Sequence, residues 1–111
     1  MAKRARTDRR EAARDAAKIA RVRMKLAALE PGGAPDRPIE VTSASIIEPQ
    51  ASSMTCAACG NHGARVEEHI AQTLEGTDGQ PARRLRVVRV ACPRCGTRRE
   101  VYFRIGTVLP S

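Results

Sequence analysis

"CAACGNHG", residues 56–63, and "CPRCGTRR", residues 92–99, decide the fold of this 111-residue chain. Each stretch holds two cysteines that are separated by two residues and followed by glycine, and the chain has four cysteines in all. Two intervening residues let the backbone curl so that both sulfurs face one point, and the glycine can adopt a positive φ. The two stretches therefore predict one tetrahedral metal site with four ligands, Cys56, Cys59, Cys92 and Cys95.

The composition favours a metal over other uses of the cysteines. Tyr102 and Phe103 are the aromatic residues, 2% of the chain, so little large apolar surface is available for a core. A core with so little apolar surface is expected to need an additional cross-link, such as a bound metal or disulfides. No apolar run reaches the length of a membrane span, and the N-terminus lacks the apolar segment of a secretory signal. We therefore expect a cytoplasmic protein, in which paired CxxC motifs are metal ligands more often than disulfides. Two disulfides or a dithiol redox site are the alternatives.

The residues between and after the cysteine pairs predict three strands. Residues 64–74, 83–91 and 98–105 are rich in alternating apolar and polar side chains, and residues 75–81 have the composition of a turn. The alternation places Val101, Phe103 and Ile105 on one face of the last strand, with Tyr102 and Arg104 opposite. The order of cysteine pair, strand, strand, cysteine pair and strand predicts a three-stranded antiparallel sheet that a metal clamps at one end.

The CxxCG and CPxCG sequences resemble those of the zinc-ribbon and rubredoxin-like superfamily, over about residues 54–107. The resemblance implies a zinc ribbon with one structural Zn²⁺, within a small α+β fold. Rubredoxins hold iron in the same four-thiolate geometry and carry electrons, which leaves iron as the minor alternative. The basic charge and the scarcity of aromatic residues favour zinc. Four protein thiolates leave no open coordination position, so we expect the metal to have no catalytic role.

Residues 1–30 predict one basic amphipathic helix. Asp8 and Glu11 have the spacing of a capping box, and Pro31 followed by two glycines stops the helix. An apolar stripe runs along one side at 3–4–3 spacing, through Ile19, Val22, Leu26 and Leu29. Three interpretations are open: a solvated helix whose stripe packs on the domain or on a copy of itself, a helix that contacts nucleic-acid phosphates, and a helix at an anionic membrane surface.

Residues 31–53 contain four prolines and little periodicity, and they predict a linker. Ile46 and Ile47 form an apolar patch within it. We expect this patch to be a short strand on the edge of the domain, with a partner-binding peptide as the alternative. Residues 108–111 are assigned as a tail.

The charge is basic at both ends of the chain. Residues 1–30 hold ten Lys and Arg against four acids, residues 31–53 hold one against three, and residues 54–111 hold nine against five. The formal charge is +8, and a zinc tetrathiolate lowers it to about +6. This charge predicts binding to RNA, DNA or a nucleoprotein complex, through Arg84, Arg86, Arg94, Arg98, Arg99, Arg104 and Tyr102 of the ribbon and Arg10, Arg14, Lys18 and Arg21 of the helix.

Other functions compete with this prediction. The arginines are also consistent with a solvated surface, and the helix stripe or the Ile46/Ile47 patch is consistent with a protein–protein adaptor. The sequence shows no nucleophile–base pair, phosphate-binding glycine loop or paired carboxylates. We therefore expect neither an enzyme nor a small-molecule substrate. His62 and His69 are not expected to be ligands, because four cysteines already complete a site.

Overall fold

The computed structural model describes residues 2–76, 78–79 and 81–106, so the predicted tail 108–111 lies outside the described residues. These residues form two helices, one 3₁₀ turn at Ala44–Ile46 and four strands. In chain order, the helices and strands are α1 (Ala2–Leu29), β1 (Ile39–Val41), α2 (Ile47–Ser52), β2 (Arg65–Leu74), β3 (Arg83–Ala91) and β4 (Arg98–Ile105). The three strands predicted from alternation are thus present at nearly the predicted bounds.

The sheet is open and mixed, with the strand order β1-β4-β3-β2. β2, β3 and β4 are antiparallel neighbours, while β1 adds to the outer edge of β4 in parallel orientation. The prediction of a three-stranded antiparallel sheet is therefore corrected to four strands. The fourth strand was missed because its three residues are too short to show periodicity.

The core lies on one face of the sheet. Val88 and Val90 of β3 pack there with Val101 and Phe103 of β4, and Phe103 is the largest side chain that is fully buried. Leu85 and Val87, on the opposite side of β3, are also buried. β3 is a central strand whose apolar side chains are withdrawn from water on both faces, whereas β2 is mostly exposed.

The interpretation of residues 31–53 as a linker is wrong, because this segment supplies part of the core. Val41, Ile47 and Ala51 are buried against the sheet, and Ile47 has no exposed surface. The physical reason is the shortage of bulky apolar residues elsewhere in the chain, which makes these side chains necessary to cover Val88 and Phe103. Pro49 does not prevent α2, because it lies in the first helical turn, where its missing N–H has no partner.

α1 extends further towards the N-terminus than predicted. It begins at Ala2, so Asp8 lies inside the helix and does not cap it. Its end is fixed by Gly32, whose φ is +86°, and by the Arg37 guanidinium, which donates to the Ala28 carbonyl at 3.0 Å. The Tyr102 backbone N–H donates to the Gly32 carbonyl at 2.9 Å, which ties the helix end to β4.

Only the C-terminal part of α1 contacts the rest of the protein. Ala27 is buried and Met24 is half-buried, whereas all residues from Ala5 to Ile19 are exposed. The predicted stripe of Ile19, Val22, Leu26 and Leu29 is 52–66% exposed, so it does not pack on the domain. The helix therefore projects from the sheet, and the molecule has a longest dimension of 70 Å.

Candidate metal centre and charged surfaces

The two cysteine pairs form turns with the same backbone hydrogen bonds. In the first turn, the Gly60 N–H donates to the Cys56 carbonyl and the Cys56 N–H donates to the Asn61 carbonyl, both at 2.9 Å. The second turn repeats this pattern at the same distances, with Gly96 to Cys92 and Cys92 to Thr97. Gly60 and Gly96 have φ values of +80° and +77°, so glycine is required by backbone conformation.

The turns bring the four sulfurs together at one end of the sheet. The first turn precedes β2 and the second joins β3 to β4, so antiparallel pairing of these strands places the turns side by side. Cys56 Sγ lies 3.7 Å from Cys95 Sγ, and Cys59 Sγ lies 3.6 Å from Cys92 Sγ. All four sulfurs lie within 4.8 Å of one another.

These separations fit a tetrahedral thiolate site and exclude bonded sulfurs. Four sulfurs at about 2.3 Å from a central ion are about 3.8 Å apart along each edge of the tetrahedron. The cysteines are free thiols rather than disulfides. Cys56, Cys59, Cys92 and Cys95 are therefore positioned to hold a metal ion, as the sequence predicted. In the described part of the chain, neither histidine belongs to this cluster.

Backbone and hydroxyl groups favour thiolates at the second turn. The Thr97 hydroxyl lies 3.1 Å from Cys95 Sγ, and together with the Thr97 backbone N–H it lowers the pKa of Cys95 to about 6. The Cys95 backbone N–H, 3.5 Å from Cys92 Sγ, is the main group that lowers the pKa of Cys92. These donors stabilise negative charge on sulfur before any cation binds.

The first turn behaves differently. The Asn61 backbone N–H lowers the pKa of Cys59, but desolvation and the three neighbouring thiols outweigh it and raise that pKa to about 11. Four sulfurs in so small a space cannot all ionise without a cation among them, because like charges repel. A divalent ion would remove this conflict, and its binding would release protons.

The side of the centre that faces α1 is apolar. Met24 of the helix and Met54 line a narrow cavity with Cys56, Cys92 and Val90. His62 lies outside this lining, and its Nδ1 is 3.3 Å from the Thr55 hydroxyl. His69 is on β2, where its Nδ1 lies 4.0 Å from a Glu48 carboxylate oxygen. Neither histidine has a position from which to replace a cysteine.

The face of the sheet opposite the core carries arginines that are already paired with carboxylates. Arg98 donates to both oxygens of Glu67, at 2.8 and 3.4 Å, and Arg104 pairs with Glu40. The Tyr102 hydroxyl donates to Glu100 at 2.9 Å, and both burial and that carboxylate raise the pKa of Tyr102. Three of the residues predicted to contact nucleic acid therefore lie in a face of mixed charge.

Arg89 completes this face, since it lies 3.3 Å from Glu68 and 3.5 Å from Glu100. These acids are not among the residues that the sequence pattern predicted for a site. The sequence did contain a signal for their pairing with arginine, because Glu67, Glu68 and Glu100 lie in strands that neighbour arginine-rich strands. Their pairing depends, however, on the strand register and on an irregularity between Val66 and Glu68, which alternation alone does not reveal.

The other predicted ribbon arginines have no carboxylate partner among the described residues. Arg84 is exposed and Arg86 half-buried, and they lie on one face of β3, as predicted. Arg94 is exposed on the second cysteine turn. Arg99 is half-buried and lines the cavity between Met24 and the cysteines, so it faces the helix end rather than open solvent.

The basic residues of α1 form a second surface, which we call the basic stripe. Its members recur every three or four residues and therefore share one side of the helix: Arg6, Arg10, Arg14, Lys18, Arg21 and Lys25. All six are exposed, and within the described residues none belongs to an ion pair. The predicted contacts Arg10, Arg14, Lys18 and Arg21 thus lie together on one surface.

No protein-family model, curated protein or solved structure matches the chain. The described part of the chain contains no helix that combines the length and the hydropathy needed to cross a membrane. What the structure does define is a small α+β protein with a four-cysteine centre suited to a metal ion.

Proposed function

We propose that the protein is a non-catalytic, structural-zinc protein that binds nucleic acid through the basic stripe of α1. The single observation that supports this most strongly is the contrast between two sets of cations. Within the described residues the basic stripe is exposed and free of ion pairs, whereas three of the sheet cations, Arg89, Arg98 and Arg104, are paired with carboxylates. Unpaired, exposed Lys and Arg along one line are the groups that contact a phosphate backbone.

The ribbon has a structural role in this proposal. A metal at the four cysteines would fix the sheet against the end of α1, through the tie between Gly32 and Tyr102 and the contacts of Met24. Four thiolates close the coordination sphere, which supports a structural rather than a catalytic ion. Zinc is proposed over iron because of the basic charge and because the cavity beside the sulfurs is lined, among the described residues, by aliphatic, thioether, threonine and arginine side chains and by no aromatic one.

The metal is tested by elemental analysis of protein purified without a polyhistidine tag. We expect one zinc per chain and no visible absorption. A thiolate-to-iron absorption band in freshly purified protein would instead support an electron carrier.

The nucleic-acid contact is tested with two double variants that remove the same charge. Arg10→Gln with Arg14→Gln removes two members of the basic stripe, and Arg89→Gln with Arg98→Gln removes two paired sheet arginines. Binding to a labelled 20-base-pair duplex and to a single-stranded RNA is followed by fluorescence anisotropy at constant salt. We expect the first variant to lose roughly tenfold or more in affinity, and the second to stay within about twofold.

Equal losses in the two variants would show that overall charge, and not the helix, determines binding. No binding by the unmodified protein at low salt would remove nucleic acid from consideration. Zinc content and far-ultraviolet circular dichroism of each variant exclude loss of fold as the cause.

The adaptor alternative now rests on the helix alone. Ile47 is fully buried, so the Ile46/Ile47 patch cannot serve as a docking surface, although Ile46 is 40% exposed. The apolar stripe of α1 is exposed, and that observation supports a protein partner in addition to nucleic acid.

A further inference from the structure

α1 presents four large apolar side chains to solvent beside the face that contacts the ribbon. Ile19, Val22, Leu26 and Leu29 are 52, 56, 56 and 66% exposed. Met24 and Ala27, the half-buried and buried residues next to the first cysteine turn, lie on a different side of the helix, although Leu26 borders a groove beside that turn. A row of exposed apolar residues at helical spacing is typical of an interface, because isolated exposed apolar residues are common but aligned ones are not.

The same side of α1 continues as a row of acids towards the N-terminus. Asp8, Glu11 and Asp15 lie three and four residues apart, and Ile19 follows four residues after Asp15. At 3.6 residues per turn they fall in line with the apolar stripe, whereas the basic stripe is centred about 110° around the helix, with Lys18 at the boundary between the two. Among the described residues, none of these three carboxylates is in an ion pair. We call the combined surface the acidic–apolar face.

The charge pattern argues against a second copy of this chain as the occupant. In a parallel pair of α1 helices, the acids of one copy would face the identical acids of the other, which is destabilising. In an antiparallel pair the apolar residues overlap only over residues 19–29, a length of about 15 Å. That contact is too short for the area that a stable dimer buries.

The pattern also argues against a membrane. Helices that lie on anionic membranes bury an apolar side and keep Lys and Arg next to the lipid headgroups. Here the apolar stripe is extended by Asp8, Glu11 and Asp15, which would be repelled by anionic lipids. Immersion of this side of the helix would also remove three carboxylates from water.

We propose that the acidic–apolar face binds an amphipathic helix of another protein. The apolar residues of that helix would pack on Ile19, Val22, Leu26 and Leu29, and Lys or Arg residues at one of its ends would pair with Asp8, Glu11 and Asp15. The face runs from Asp8 to Leu29, which is about 32 Å of helix. We expect a contact of this size to be transient.

This inference goes beyond the proposed function and does not depend on it. The basic stripe and the acidic–apolar face are neighbouring sides of one helix. If the proposed function also holds, α1 would join a protein helix to a phosphate backbone.

The test uses two synthetic 21-residue helical peptides as probes. Both carry the same leucine stripe, and one has three lysines in line with that stripe at one end, where the other has three glutamates. We expect the full-length protein to bind the lysine peptide at least tenfold more tightly than the glutamate peptide, as measured by fluorescence anisotropy.

Two protein variants locate the contact. The double variant Val22→Glu, Leu26→Glu should no longer bind the lysine peptide. The control variant Ala13→Glu, Ala17→Glu adds the same charges on another side of α1, and its affinity for the lysine peptide should be unchanged. Asp8→Lys, Glu11→Lys and Asp15→Lys together should reverse the preference towards the glutamate peptide. All of these positions are exposed, so the fold is expected to persist, and circular dichroism checks this.

Three results would overturn the proposal. The first is equal affinity for the two peptides, or no binding up to about 1 mM. The second is that light scattering after size exclusion shows a dimer for the unmodified protein and a monomer for the Val22→Glu, Leu26→Glu variant, since a second copy would then occupy the face. The third is binding to phosphatidylserine vesicles that the same variant abolishes, since a membrane would then be the occupant.

Discussion

The sheet domain, residues 39–106, and α1 use the same residue types in different ways. In the sheet domain, three arginines are held by carboxylates, namely Arg89, Arg98 and Arg104, and most of the large apolar side chains are buried. In α1, the members of the basic stripe have no carboxylate partner among the described residues, and the apolar stripe is exposed. Satisfied groups stabilise a fold, while exposed and unpaired groups remain free to bind. The difference supports the proposal that the sheet domain is the scaffold and the helix is the binding element.

The largest effect should come from the metal centre. We expect the sheet domain to unfold in the Cys92→Ser variant and after treatment with a strong chelator. The reason is that metal binding in small four-ligand domains contributes on the order of 10–16 kcal/mol to folding. Amide dispersion in a two-dimensional NMR spectrum should collapse for residues of β2, β3 and β4. If the sheet domain keeps its amide dispersion without metal, the apolar core alone is sufficient for folding. The metal centre would then not be what makes this part of the molecule a scaffold.

The next effect tests the segment between α1 and the first cysteine turn. We expect Ile47→Ala to lower the free energy of unfolding by about 2–5 kcal/mol, because it removes a fully buried side chain. Ile46→Ala, at a 40% exposed neighbour, is the matched control and should cost less than about 1 kcal/mol. Chemical denaturation of the metal-loaded protein measures both. Similar values for the two variants would mean that this segment does not belong to the core.

A smaller effect is expected at the cysteine turns. Gly96→Ala should cost about 1–2 kcal/mol, because alanine disfavours the φ of +77° that this position requires. A Cβ at Gly96 meets no atom within 4 Å, so the cost is conformational and not steric. Gly96→Asn serves as the control, since asparagine tolerates left-handed backbone better, and it should recover part of the loss. An equal loss in both variants would point to another cause.

The sequence predicted the four-cysteine cluster and the strands well because their signals are local. CxxCG fixes the turn and the ligands together, and alternation placed Val101 and Phe103 on the buried face of β4. β1 and α2 were missed for different reasons. β1 is too short to show a period, and Pro49 was interpreted as a feature of a linker although it fits the first turn of a helix.

The ion pairs of the sheet could not be predicted because they depend on register. Whether Arg98 meets Glu67 is decided by which residues of β2, β3 and β4 lie opposite one another, and the irregularity between Val66 and Glu68 shifts that pairing. The position of α1 is also a tertiary property. The sequence of α1 showed an apolar stripe, but the side of α1 that packs against the rest of the protein is the side that carries Met24 and Ala27.

The most direct test of the central claim is the salt dependence of duplex binding, measured for the unmodified protein and for a variant with Arg10, Arg14, Lys18 and Arg21 all replaced by glutamine. The slope of log K, where K is the binding constant, against log salt concentration is compared for the two proteins. If these four side chains neutralise four phosphates, that slope should be more negative by about 3.6 for the unmodified protein than for the variant. The affinity of the unmodified protein should therefore drop by about a hundredfold or more between 50 and 200 mM salt. Identical slopes for the two proteins would contradict the assignment of nucleic-acid binding to α1.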